Sequence, residues 1–137
     1  MTTPHSTEFP LAASAPLVRR LTAEDRRPNL LVRCPGGWAD RVLHMLVQSC
    51  EPPVHLCRLP GTLDLPSERT GTVLLENASA LSPAQQICVH DWMSRGFGRI
   101  QVISVVFEPL DSMVERGQFL EPLFYRLNAV SLEPEMR

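Results

Sequence analysis

Glu76 and Asn77 are the residues in this chain whose surroundings best suit them to chemistry. They follow Val73, Leu74 and Leu75, an apolar run without alternation, and a polar turn then leads to Ser82-Pro83. A short continuous apolar run fits a strand buried on both faces of a parallel sheet. Polar residues at the carboxyl end of such a strand lie where open α/β sheets place their ligand crevice. A carboxylate there can hold a divalent cation, but an amide cannot accept a proton as a general base. A strong turn signal, Arg33-Cys34-Pro35-Gly36-Gly37, stands earlier in the chain. This chain has no Lys: all 13 basic residues are Arg.

Other reactive side chains form weaker constellations. His55 and Cys57 are two apart and share a strand face, but two ligands fall short of a structural zinc site. A half-buried strand face explains them. His44 and His90 have no acidic or Cys partner at metal spacing. Ser82 has no base to activate it, and a helix N-cap accounts for it. Arg19-Arg20 with Arg26-Arg27 reads as a solvated helix face rather than a phosphate track.

The elements that must position these residues alternate between strand and helix. Leu17 to Arg27 predicts a short amphipathic helix ending before Pro28. Asn29-Leu30-Leu31-Val32 is the first buried strand, stopped by the turn from Arg33 to Gly37. Ala39, Val42, Leu43, Leu46, Val47 and Cys50 keep the spacing of one helical face, and Pro52-Pro53 ends it. Val54 to Leu59 alternates like a strand, which completes a βαβ unit. A polar connection, Gly61 to Arg69, leads to a third strand at about Thr72 to Glu76. Ser82 and Pro83 then start a helix with a buried stripe of Ala84, Ile87, Cys88 and Trp92, stopped at Gly96. Ile100 to Phe107 is the best central strand. Helices from Leu110 to Arg116 and from about Pro122, and a last short strand from Asn128 to Leu132, complete the pattern. The fold class is α/β: three layers, Rossmann-like, with a mostly parallel sheet of about five strands.

At 137 residues the chain is one domain, able to bury about two-thirds of its unfolded surface. We expect a loosely ordered tail over residues 1–10 and a single domain over 11–137. Apolar content of 44%, charged content of 20% and a net charge of −2 give no global field to recruit nucleic acid. No apolar run reaches membrane-spanning length and no secretory signal pattern opens the chain, so the expectation is cytoplasmic. The four cysteines, Cys34, Cys50, Cys57 and Cys88, are scattered. They are expected to be reduced and mostly buried.

With its elements placed, the sequence resembles the AAA+ ATPase core of bacterial enhancer-binding proteins, the activators that remodel sigma-54 RNA polymerase. The first resembling block is Gly71-Thr72-Val73-Leu74-Leu75-Glu76-Asn77 with Leu81-Ser82-Pro83 and Gln86. It is similar to the family's Walker B strand, G-T-L-F-L-D-E, and its L-S-P helix start. The second runs from Met113 to Phe119 and from Leu123 to Asn128, and is similar to M-V-x-x-G-x-F-R-x-D-L-Y-Y-R-L-N.

Carried over residue by residue, the resemblance implies an altered site. The family's G-E-S-G-T-G-K-E aligns with Cys34-Pro35-Gly36-Gly37-Trp38-Ala39-Asp40-Arg41, where only Gly37 matches and Asp40 takes the Lys position. At an effective dielectric of about 20, unit charges ~4 Å apart interact by ~4 kcal/mol, so the sign reversal opposes phosphate. Glu76 stands at the metal-associated Asp, and Asn77 at the water-activating Glu. Val106-Phe107 replaces the sensor T-N. Of two family Arg positions the first is Leu120, and Arg126 alone remains as a finger-like residue, expected to make a structural ion pair. The segment between Asp40 and Glu76 is shorter than the family's, without its sigma-gripping loop, and the pattern stops short of a helical lid and DNA-binding domain. The resemblance thus implies no catalysis, with ATP and Mg²⁺ unused. It implies a protein partner such as an AAA+ activator or other transcription regulator, without direct DNA or membrane binding, and leaves a homo-oligomer open. The alternative is residual nucleotide binding through Glu76, Arg41 and Arg126. Calorimetry with ATP and Mg²⁺ separates the two.

Overall fold

The computed structural model describes residues 6–23, 27–67, 70–95 and 99–135. Alternation within its strands explains the layering. In β2 (Leu30–Arg33), Leu30 and Val32 face one core while Leu31 faces the other. In β4 (Thr70–Glu76), Val73 and Leu75 join Leu31, and Leu74 joins Leu30. In β5 (Arg99–Val106), Val102 and Val106 lie on the first side, Ile103 and Val105 on the second. An uninterrupted apolar run therefore feeds two cores at once, as a sheet covered on both faces requires.

Helices α1 (Leu11–Ala23) and α2 (Ala39–Ser49) close one core through Val18, Val42, Leu43 and Leu46. Helices α3 (Pro83–Ser94), α4 (Leu110–Glu115) and α5 (Glu121–Leu127) close the other through Val89, Trp92, Met113, Leu123 and Leu127. The result is the expected three-layer α/β fold.

With β3 (Val54–Arg58), β6 (Val130–Glu135) and β1 (Ser6–Pro10), the strands form one six-stranded sheet in the order β1-β6-β2-β5-β4-β3. Every pairing is parallel. The β2-α2-β3 unit does not join neighbours: β5 and β4 later insert between its two strands.

The structure corrects several expectations. Ser6–Pro10, assigned to a loose tail, pairs along β6 as an edge strand, which raises the count from five to six. Residues 1–5 lie outside the described residues. Helix α1 starts at Leu11 and contains Pro16, although propensity favours starting after that proline. It is described as far as Ala23; residues 24–26 lie outside the described residues, and Arg27 is not helical. Strand β6 runs past Leu132 through Pro134, because Pro134 lies beyond the β2 pairing and has only β1 beside it. The predicted stripe of α3 is out of phase: Gln86, Val89 and Trp92 are buried, while Ala84, Ile87 and Cys88 are exposed. The predicted stop at Gly96 lies outside the described residues. Cys34, Cys50 and Cys57 are buried thiols as expected, but Cys88 is not.

Candidate functional site

Because the sheet is parallel, the carboxyl ends of β2, β5 and β4 share one edge. Register fixes this: Arg33 pairs with Val106, and Glu76 with Val105. The turn from Cys34 to Arg41, the pair Glu76-Asn77 and the pair Val106-Phe107 therefore converge there. Two backbone bonds tie them together, Cys34 N–H to Val106 O at 3.0 Å and Asn77 N–H to Val105 O at 2.8 Å.

The glycine turn closes on itself. Gly36–Trp38 forms a short 3-10 turn after Pro35, in which Trp38 N–H donates to Pro35 O at 2.9 Å. Ala39 N–H donates to Gly36 O. A phosphate cradle needs successive N–H groups pointing at the ligand. Here Pro35 has none, and Cys34, Trp38 and Ala39 have already donated theirs inside the protein.

The side chains around the turn are apolar or ion-like in an unhelpful order. Cys34 is buried in the core, and burial pushes its thiol up to about 11. Gly36 and Gly37 are exposed, and a β-carbon at Gly37 would meet open space. Trp38 is half-buried against the α1–α2 core, with the Arg41 guanidinium stacked 4.6 Å above its ring. Phe107 packs into the same core, and its ring lies 3.9 Å from where a Gly36 β-carbon would stand. Ala39 is buried and Asp40 exposed in the first turn of α2. A carboxylate in the first turn of a helix is favourable to the helix, and its like charge opposes an anionic ligand there.

On β4, the Glu76 side chain is 15% exposed and faces Arg58 Nε at 3.4 Å, its partner in register on β3. Asn77 is left-handed, at φ 66 and ψ 54, a conformation Asn tolerates better than most residues. Its Nδ2 donates to Leu59 O at 3.2 Å, and its Oδ1 accepts from Ser79 Oγ at 2.9 Å. Both ends of the amide are engaged, one on a backbone carbonyl and the other on a side-chain hydroxyl. Val106 is buried in the α3–α5 core, so it offers the crevice no side chain.

Arg126 does not join this group. It sits in the last turn of α5, and its carbonyl accepts from Asn29 Nδ2 at 2.9 Å. Asn29 precedes β2, so Arg126 lies at the amino edge of the sheet, opposite the crevice. Arg126 is exposed and makes no ion pair among the described residues. Sequence reasoning missed Arg58, Leu59 and Ser79. The signal for Arg58 was available, since it ends the β3 pattern as Glu76 ends β4.

Of the remaining candidates, Ser82 caps α3 with a full capping box, its Oγ accepting from Gln85 N–H at 3.1 Å while Gln85 Oε1 accepts from Ser82 N–H at 3.0 Å. Cys57 is buried, its thiol raised by burial and donating to Asp64 O at 3.6 Å. Among the described residues no three His, Cys, Asp or Glu side chains gather as a metal site. No described helix is long and apolar enough to cross a membrane.

No known family profile matches the sequence, and no curated protein does. Solved structures do. NtrX from Brucella abortus, crystallised with ATP, superposes with a TM-score of 0.65 at 16% identity, over 90% of this chain and 37% of that one. The P-loop NTPase domain of the sigma-54 transport activator from E. coli gives 0.54 at 14% identity, over 82% of this chain and 98% of that one. RuvB T158V from Thermotoga maritima superposes with a TM-score of 0.59 at 14% identity, over 90% of this chain and 42% of that one. This chain has the fold these structures share. The chain thus spans well under half the length of NtrX and RuvB. In this fold, the turn after β2 and the end of β4 are the places the sequence resemblance assigned to phosphate and metal.

Proposed function

We propose that this chain is a non-catalytic P-loop NTPase module, akin to the ATPase domain of sigma-54 activators, that acts through protein contact in transcription regulation. The observation that carries the reading is the self-closed turn, in which the amides of Cys34, Trp38 and Ala39 are spent and Pro35 contributes none. Three features support it. Asp40 puts a negative charge in the first turn of α2, Phe107 packs beside Gly36, and Asn77 is a backbone anchor that cannot serve as a base. In this reading ATP and Mg²⁺ are not used. The partner is a protein, an AAA+ activator or other transcription regulator, and neither DNA nor membrane is contacted directly.

Calorimetric titration with ATP and Mg²⁺ should give no complex, and a micromolar one would overturn the proposal. Added to a full-length sigma-54 activator ATPase, the protein should change that partner's turnover or oligomer size. No effect on any such ATPase counts against the regulatory half of the reading. The alternative, residual nucleotide binding, draws support from Glu76, whose carboxylate lies at the crevice edge of β4, and from Arg41. Its loss of Arg126 to the opposite edge weakens it. The same titration decides between them.

A further inference from the structure

Residues 59–67, which connect β3 to β4, contain no helix or strand. Past Leu59 N–H, which continues the ladder to Glu76 O at 3.0 Å, the segment makes no backbone–backbone hydrogen bond among the described residues. Side chains hold it instead. Asn77 Nδ2 donates to Leu59 O at 3.2 Å, and Gln85 Nε2 to Gly61 O at 2.8 Å. Cys57 Sγ donates to Asp64 O at 3.6 Å, and Trp92 Nε1 to Pro66 O at 2.9 Å. Beneath it, Leu63 and Leu65 pack half-buried on the core that contains Cys57 and Trp92. Pro60, Gly61, Thr62, Asp64 and Ser67 face outward.

Leu59 is buried in that core and fixed to the ladder, but beyond it the segment is held by a few side-chain bonds and two half-buried leucines, which gives a low cost of local opening. We propose that residues 60–67 form a latched strap, hinged at Leu59, that opens as a unit ahead of the rest of the fold, with Asn77 and Gln85 as its latch. Asn77 gives the strap a mechanical link to the crevice. Its backbone is bonded to β5 at Val105 and its side chain to Leu59, so a partner that grips the strap pulls on the end of β4. The position aligned with a catalytic Glu thus has a holding role, whether or not nucleotide binds nearby.

The protein carries its own reporter. Cys57 is 3% exposed under the strap, Cys34 and Cys50 are buried in the other core, and exposed Cys88 gives the unprotected rate. Alkylation of each thiol by iodoacetamide, read by mass spectrometry, measures opening site by site. Asn77→Gly keeps the left-handed backbone at no steric cost and removes only the side-chain bonds. Gln85→Glu keeps the acceptor that caps α3 and removes the donor to Gly61. Each should speed Cys57 labelling about fivefold, the effect of one ordinary hydrogen bond, with Cys34 and Cys50 unchanged. No change at Cys57 would overturn the proposal, as would an equal rise at all three buried thiols. If Asn77→Gly does not fold, Gln85→Glu decides alone.

Discussion

At the scale of single residues, Gly71 and Ser104 mark opposite kinds of constraint. Gly71 begins the buried part of β4 at φ +92, and a β-carbon there would collide with the backbone of Pro53. Gly71→Ala should cost about 2–4 kcal/mol, combining left-handed strain with that collision. Urea unfolding would show it as a lower midpoint with an unchanged slope. Ser104 is wholly buried on the central strand, and its hydroxyl has no partner among the described residues. Ser104→Ala removes a desolvated group without opening much space. It should leave stability equal or raise it by up to ~1 kcal/mol, read as a higher melting temperature. The sequence was informative here about place and silent about direction. An apolar run ending in Glu76-Asn77 locates the crevice edge. Nothing in it reveals that Asn77 is left-handed, with its amide turned to Leu59 and Ser79. Arg126 shows the same limit, because the motif supplies the residue and the path of α5 decides which edge receives it.

At the scale of elements, α3 is the instructive case. Its apolar residues suggested a stripe through Ile87 and Cys88, but the buried face carries Gln86. That side chain bridges Leu81 O at 3.1 Å, Gln118 O at 3.2 Å and Leu120 N–H at 2.8 Å. It joins the start of α3 to the turn before α5. Gln86→Ala leaves three backbone groups, one buried and two partly buried, without that partner and should cost about 2–4 kcal/mol in chemical denaturation. Burial here follows hydrogen-bonding need, which hydrophobic periodicity cannot register. Strands β2, β4 and β5 were legible for the converse reason, since a run buried on both faces has only one reading at that length. Strand β1 was not, because Ser6–Pro10 is an edge strand whose pairing partner lies at the far end of the chain. The start of α1 was hidden by Pro16, which propensity treats as a boundary.

For the whole molecule, the two buried thiols of one core set an alkaline limit. Burial raises Cys34 and Cys50 from 9.0 to about 11, Cys50 being partly relieved by Thr72 and Arg27. In the unfolded chain both ionise near 9.0 while the folded protein still holds their protons. The unfolded state then binds fewer protons, so stability is intact below pH 9 and falls as pH rises towards about 11. Denaturation midpoints measured across that window should drop, and the slope should flatten in Cys34→Ala with Cys50→Ala. The sheet order has a different consequence, for synthesis. Among the described residues the first strand in chain order has only the last beside it, and β6 also supplies the second neighbour of β2. A nascent chain that has reached α5 therefore holds β1 with nowhere to dock. Ribosome-arrested chains should stay sensitive to limited proteolysis within residues 6–23 until Val130–Glu135 has emerged. Residues made early in this chain are the last to find their place.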